Sequence, residues 1–280
     1  MSRQTSFQNK VVVVTGGGSG IGKALAVAFA AEGARVAVVD IRGHDAVARQ
    51  LSPSATMAIA CDVSNAAQVK AMIQKVRTTW GKIDIYCSNA GILIPPLAPH
   101  LDQSDHVSKL SDEQWDRVYR INVQSHVIAA RELITENNLW DGGIFVVTAS
   151  AGGLLAMIED TCYGVSKAAA VSFAEHMAIT HPQVQVHCLC PQSVDTPIIP
   201  KEARENPTAA MVDGLLSPEF VAKCTLEAIT LKQFWIFPHK NVPKYVLQKV
   251  MDHDRWLHGM RRLRQRLWAS KGNTFPQSKL

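Results

Sequence analysis

Tyr163 and Lys167 stand four positions apart in the run Tyr163-Gly164-Val165-Ser166-Lys167. On a helix that spacing stacks two side chains on one face, so a phenol and an ammonium can reach a common ligand. A phenol titrates near ~10 in water, too high for a base at neutral pH, but a nearby ammonium favours its ionised form. Such a pair can pass a proton to or from an oxygen. Reducing a carbonyl needs a proton donor beside the carbon that receives hydride, and oxidising an alcohol needs a base there.

A second group of residues can hold the carrier of that hydride. Thr15-Gly16-Gly17-Gly18-Ser19-Gly20-Ile21-Gly22 follows an apolar, β-branched run and opens a helical segment. Gly16, Gly18, Ser19, Gly20, Ile21 and Gly22 therefore fall where backbone must approach a pyrophosphate at a helix N-terminus. Asp40 ends the next strand-like run about twenty residues on, the position from which a carboxylate accepts hydrogen bonds from both hydroxyls of a ribose. It would repel a 2′-phosphate, which favours NAD over NADP, although Arg42 carries a guanidinium able to reach one. Asp62 and Val63 end a third run and could flank an adenine, or serve as a strand-end cap and a core valine.

These residues need elements to position them. Short apolar runs occur at Lys10 to Thr15, Arg35 to Asp40, Thr56 to Cys61, Ile83 to Ser88, Gly143 to Ala149, Val184 to Cys190 and Phe234 to Phe237. Helix-length segments alternate with them at Gly20 to Glu32, Asn65 to Trp80, Ser111 to Asn137, Tyr163 to His181 and Ser217 to Leu231. Continuous apolar strands joined by helices predict an α/β fold, a doubly wound parallel sheet of about seven strands with helices on both faces. Two excursions, Ile94 to Lys109 and Thr196 to Leu216, follow strand C-termini, where such folds hold ligands.

The chain has 280 residues, 47% of them apolar, enough for one large core. We expect a single catalytic domain over residues 1–240 and a basic helical extension over 241–280. The net charge of +5 comes largely from Arg255, Arg261, Arg262, Arg264 and Arg266, so it describes a tail and implies no nucleic-acid role. The first ten residues lack the apolar core of a signal peptide, and no stretch reaches the ~18 apolar residues of a membrane span, so a cytoplasmic protein is expected. Six scattered cysteines suit free thiols in a reducing compartment, with Cys188 and Cys190 expected on opposite faces of a strand. No cluster reads as a metal site.

Taken together, Tyr-Gly-Val-Ser-Lys, Ser150 thirteen residues before it, the Thr-Gly-x-x-x-Gly-x-Gly loop and Asn89-Ala90-Gly91 resemble the classical short-chain dehydrogenase/reductase family from about Lys10 to Phe237. Four motifs in the correct order relative to strands are far more specific than any one alone. The resemblance implies that Lys167 also hydrogen-bonds the nicotinamide ribose, so that a positive nicotinamide ring would join Lys167 in favouring the Tyr163 phenolate, and that Ser150 holds the substrate oxygen. It further implies that Asn122, in Arg120-Ile121-Asn122-Val123, is a fourth catalytic residue whose backbone carbonyl holds a water leading to the lysine. Asn89, Ala90 and Gly91 would form the adenine-ribose side, and Pro191, Val194 and Thr196 would close the nicotinamide pocket, Thr196 on the carboxamide. Two positions depart from the family pattern. Gln192 stands where the family has glycine, and Ser88 where it has a first asparagine.

Leu154, Leu155, Met157, Ile158, Ile198, Ile199, Met211 and Leu215 on the pocket-walling segments imply an apolar pocket for a hydrophobic secondary alcohol or ketone. Glu159 and His100 could add polarity. Beyond Pro238, Trp256, Met260, Leu263 and Leu267 make a helical stripe with arginines on the other face. It could pack on another subunit or the domain itself, cover the active-site mouth, or lie on an anionic membrane surface. Packing is the favoured outcome, and the resemblance implies a homodimer or homotetramer. Two other functions share this sequence: an NAD-binding sensor without catalysis, and an epimerase or dehydratase using internal hydride transfer.

Overall fold

A computed structural model describes residues 7–94, 110–135, 138–158, 160–199 and 211–269. Among them seven strands form one parallel sheet: β1 (Val11–Thr15), β2 (Arg35–Asp40), β3 (Thr56–Ala60), β4 (Ile85–Ser88), β5 (Ile144–Thr148), β6 (Gln185–Leu189) and β7 (Trp235–Ile236). Their order is β3-β2-β1-β4-β5-β6-β7. The chain reverses its direction of travel across the sheet between β1 and β4, and the crevice beyond the C-terminal ends of those two strands is where such sheets bind ligands.

Strand composition explains the burial. Val11 and Val13 join one core cluster and Val12 and Val14 the other, so the uninterrupted valines of β1 serve both faces of the sheet. Helices α1 (Gly20–Ala31), α2 (His44–Ala48), α3 (Ala66–Trp80), α4 (Asp112–Tyr119), α5 (Ser125–Leu133), α6 (Ala151–Leu155), α7 (Thr161–Thr180) and α8 (Pro218–Thr230) connect the strands. Polar residues begin several of them. Asn65 accepts from Gln68 N, Ser111 and Gln114 form a reciprocal capping box, and Ser217 accepts from Phe220 N ahead of Pro218.

The single helix expected over Ser111 to Asn137 is three pieces. A π-helical turn, Arg120–Gln124, separates α4 from α5, and helix ends at Leu133. Asn122 sits in this turn, fully buried, with its side chain tied to Ile92 and to Ser166 of α7 rather than left to the helix surface. Cys188 and Cys190 do not point to opposite faces. Residues two apart on a strand share a face, and the two sulfurs lie 3.7 Å apart as free thiols.

Beyond β7 the chain forms α9 (Val242–Met251) and α10 (His253–Ala269), the latter along the expected stripe. No helix among the described residues is long and apolar enough to cross a membrane.

Candidate active site

The C-terminal ends of β1, β2, β4, β5 and β6 open into one cavity of about 880 Å³. At one end lies the glycine turn. Gly16 has φ +66, and a Cβ on Gly18 would stand 2.1 Å from the Arg42 carbonyl oxygen, so side chains are excluded by backbone. Asp40 Oδ2 accepts from Gly18 N at 2.9 Å, fixing the carboxylate at the cavity rim. Ser19 precedes α1 without a side-chain cap bond, and Ser19, Gly20 and Ile21 line the cavity. An uncapped helix start with a carboxylate at the end of β2 is a donor and acceptor set that fits a dinucleotide. Asp62 and Val63 line the same end, as do Asn89, Ala90 and Gly91. Asn89 is chiefly a strut, because its Nδ2 donates to Thr15 O and its Oδ1 accepts from Thr148 Oγ1, joining β1, β4 and β5.

At the middle of the cavity stand Ser150, Tyr163 and Lys167. Asp160 caps α7 by accepting from Tyr163 N at 2.9 Å, which sets the first turn. Lys167, one turn on, is buried, donates to Thr148 O at 2.7 Å and lies 5.7 Å from the Tyr163 ring centre. Ser150 caps α6 by accepting from Gly152 N at 3.0 Å, and its hydroxyl donates to Pro191 O. Gly153 allows α6 this close to α7, since a Cβ there would stand 2.5 Å from the Lys167 backbone.

Burial dominates the titration of this group. It pulls Lys167 down to about 8, the nearby Cys190 and Cys188 opposing. Burial pushes Tyr163 up to about 12, with the Ser150 hydroxyl pulling the other way. The expectation that Lys167 and a positive nicotinamide ring together favour phenolate concerns the cofactor-bound enzyme; in the protein alone, burial of the phenol sets the direction.

Asn122 lies behind this cluster. Its Oδ1 accepts from Ile92 N at 2.8 Å, and its Nδ2 donates to Ile92 O and to Ser166 Oγ. The side chain thus clamps the segment after β4 to α7, and a Cβ on Gly91 would meet both Asn122 Oδ1 and Lys167 Nζ at 3.3 Å. Ser88 is accommodated by a buried partner, since its hydroxyl lies 2.6 Å from His126 Nδ1.

Pro191, Val194 and Thr196 line the cavity after β6, and Thr196 Oγ1 donates to Val194 O. Gln192 keeps φ out of the left-handed region, so it needs none of glycine's freedom. Its backbone N–H donates to His239 Nδ1 at 3.1 Å, while its Oε1 is buried without a hydrogen-bond partner.

A model of the family described as "short chain dehydrogenase" matches residues 10–207. The chain belongs to the short-chain dehydrogenase family. It is an NAD(P)-dependent oxidoreductase acting on CH–OH groups. It is 30% identical over 229 residues to the NAD-dependent glycerol dehydrogenase of Listeria innocua, covering 79% of this chain and 87% of that one. It is 30% identical over 264 residues to the 1-deoxy-11-beta-hydroxypentalenate dehydrogenase of Streptomyces arenae, covering 90% and 89%. A crystal structure of a short chain dehydrogenase/reductase from Burkholderia phymatum in complex with NAD superposes with TM-score 0.75 at 27% identity, over 89% of this chain and 95% of that one.

Within this dehydrogenase framework the apolar end of the cavity differs in part from expectation. Leu155, Met157, Ile158, Ile198 and Ile199 line it, but Leu154, Met211 and Leu215 do not, and Val212 takes their place. Glu159 and His100 lie outside the described residues, as do most of the first excursion and residues 200–210 of the second. The base of the second excursion is pinned where Val194 bridges Leu216 and Leu216 N donates to Ser193 O. Sequence reasoning missed Thr148, whose backbone oxygen holds Lys167 and whose hydroxyl holds Asn89. Its place one residue before Ala149-Ser150, at the end of a buried strand, was the available signal. It also missed Tyr245 and Gln248, which line the cavity from α9 and lie off any apolar stripe.

Proposed function

We propose that this enzyme interconverts a hydrophobic secondary alcohol and its ketone with NAD, Tyr163 being the general acid and base. The observation that carries the reading is the placement of Ser150, Tyr163 and Lys167 in one cavity between the glycine turn and an apolar wall.

The bound dinucleotide supplies or accepts hydride. Gly16, Gly18, Ser19, Gly20, Ile21 and Gly22 would hold its pyrophosphate, Asp62 and Val63 its adenine, and Asn89, Ala90 and Gly91 the adjoining ribose. Pro191, Val194 and Thr196 would enclose the nicotinamide. Asp40 selects NAD, because its carboxylate can accept from two ribose hydroxyls and opposes a phosphate at the same place. On substrate binding the Ser150 hydroxyl would turn from Pro191 O to donate to the substrate oxygen and stabilise the charge that develops there. In oxidation Tyr163 takes the hydroxyl proton, and in reduction it returns one to the carbonyl oxygen. A cationic ring beside the desolvated phenol would lower its pKa from the raised value it has alone, restoring base strength when oxidised cofactor is bound. Lys167, held by Thr148, would bind the nicotinamide ribose, and Asn122 positions the backbone that surrounds the lysine.

The test is a panel of hydrophobic secondary alcohols with NAD and NADP, following absorbance of the reduced cofactor, with Tyr163→Phe beside the wild type. NADH formation should fall by about 10²–10⁴ in the variant. Equal turnover by the variant would remove Tyr163 from the mechanism. Tight NAD binding without turnover of any alcohol would favour the sensor function.

A further inference from the structure

The family match ends at residue 207, yet Tyr245, Gln248, Trp256, Met260 and Leu263 line the same cavity as Tyr163. Trp256, Met260 and Leu263 recur at spacings of four and three on α10 and are partly buried, whereas Arg255, Arg261, Arg262 and Arg266 on its other face are exposed. The stripe is therefore turned toward the cavity.

The extension is fastened to the catalytic framework at several points. Trp256, Tyr245 and Val246 pack on a cluster of Ala151, Leu155 and Val242, which joins α9 and α10 to α6, the helix that Ser150 caps. Lys249 Nζ donates to Leu154 O, also on α6. Asn241 Nδ2 and Tyr245 Oη both donate to Asp213 Oδ1, at 2.7 and 3.2 Å, tying α9 to the end of the second excursion. These bonds hold α9 in place, and α10 packs against α9 and adds Trp256 to the same cluster.

Charge along the cavity is uneven. Among the described lining residues, Asp40, Arg42 and Asp62 lie at the glycine end and Lys167 in the middle, while the far end offers only neutral polar groups such as Gln248 and Tyr245 among aliphatic, methionine and tryptophan side chains. An ionised substrate group there would lose its hydration without a partner, and a polyol would leave hydroxyls unpaired against apolar wall.

We infer that α10 forms the far wall of a substrate subsite that takes the apolar body of a bulky, uncharged secondary alcohol or ketone, with Met260 and Leu263 setting how large that body can be. The inference rests on the proposed function and adds to it a region outside the family match.

The test uses the full chain and two variants, Met260→Trp, which fills the subsite, and Leu263→Ala, which enlarges it. Decalol, a fused bicyclic secondary alcohol, is compared with isopropanol, and NADH binding is followed by the emission of the bound cofactor. Met260→Trp should raise KM for decalol about tenfold or more with little change in kcat, leaving isopropanol turnover and NADH affinity near wild type. Leu263→Ala should shift preference toward larger alcohols. An unchanged decalol KM in both variants, with NADH bound normally, would overturn the subsite, and so would a marked preference for an acid-bearing analogue of the same ring. Binding of decalone to the enzyme–NADH complex, read from a shift in cofactor emission and weakened about tenfold by Met260→Trp, tests the wall even if no alcohol is turned over. Failure of all turnover would count against the proposed function, and failure of this binding difference against the subsite.

Discussion

The glycine end of the cavity is made of backbone. Gly16, Gly18 and Gly22 bring main chain within distances that a Cβ would violate, and Asp40 is held by Gly18 N. The far end is made of side chains, namely Met157, Ile158, Ile198 and the inner face of α10, carried on the segment that follows α6, an excursion and the last helix. A surface of backbone amides flanked by the carboxylates of Asp40 and Asp62 reads a chemical group common to many enzymes. A surface of interchangeable apolar side chains reads size. Substitutions at the first end should therefore act on cofactor whatever the substrate, while those at the second should act on substrate with cofactor binding intact.

The largest effect that would sharpen this contrast is Gly18→Val. Its Cβ would stand 2.1 Å from the Arg42 carbonyl oxygen, so the turn must shift, and NADH binding measured by fluorescence titration should weaken by about 5- to 150-fold, the range that overpacking costs of about 1–3 kcal/mol imply. Binding within a few-fold of wild type would mean that the turn yields easily and that the two ends are not so different.

Asp40→Ala should act more narrowly. Loss of one or two charge-assisted hydrogen bonds, each worth about 1.5 kcal/mol, together with loss of the repulsion toward a 2′-phosphate, should narrow the NAD to NADP affinity gap by about tenfold or more. An unchanged gap would show that Asp40 does not choose the cofactor.

The smallest effect lies between the two ends. Burial raises Tyr163 to about 12 and lowers Lys167 to about 8, so both lose protons as the medium becomes alkaline. Oxidation needs the unprotonated phenol, so its initial rate should climb between pH 7 and 8, by at most about tenfold, while reduction, whose phenol stays protonated well below about 12, should stay level. A flat oxidation profile with chemistry rate-limiting would contradict the assignment of Tyr163 as the base.

The extent to which each end was legible follows from the same difference. Glycines, a strand-end acid and a tyrosine–lysine spacing leave local marks, because turn geometry and helix periodicity act over a few residues. All seven strands were visible as short apolar runs, most plainly β1 and β2, whose valines are buried on both faces of the sheet. The helix from Ser111 was misjudged at Arg120–Gln124, where Asn122 answers to Ile92 and Ser166, residues thirty and forty-four positions away. Periodicity does not register such partners.

Composition and local spacing determined that this chain builds a parallel sheet with a dinucleotide turn and carries a tyrosine and a lysine on one helical face. Tertiary structure decided which of the possible surfaces the C-terminal stripe covers, how Gln192 is received by His239, and in which direction Tyr163 and Lys167 titrate. Those outcomes depend on burial and on contacts between segments far apart in the chain, and desolvation in particular is a property of the assembled cavity that no short stretch of residues possesses.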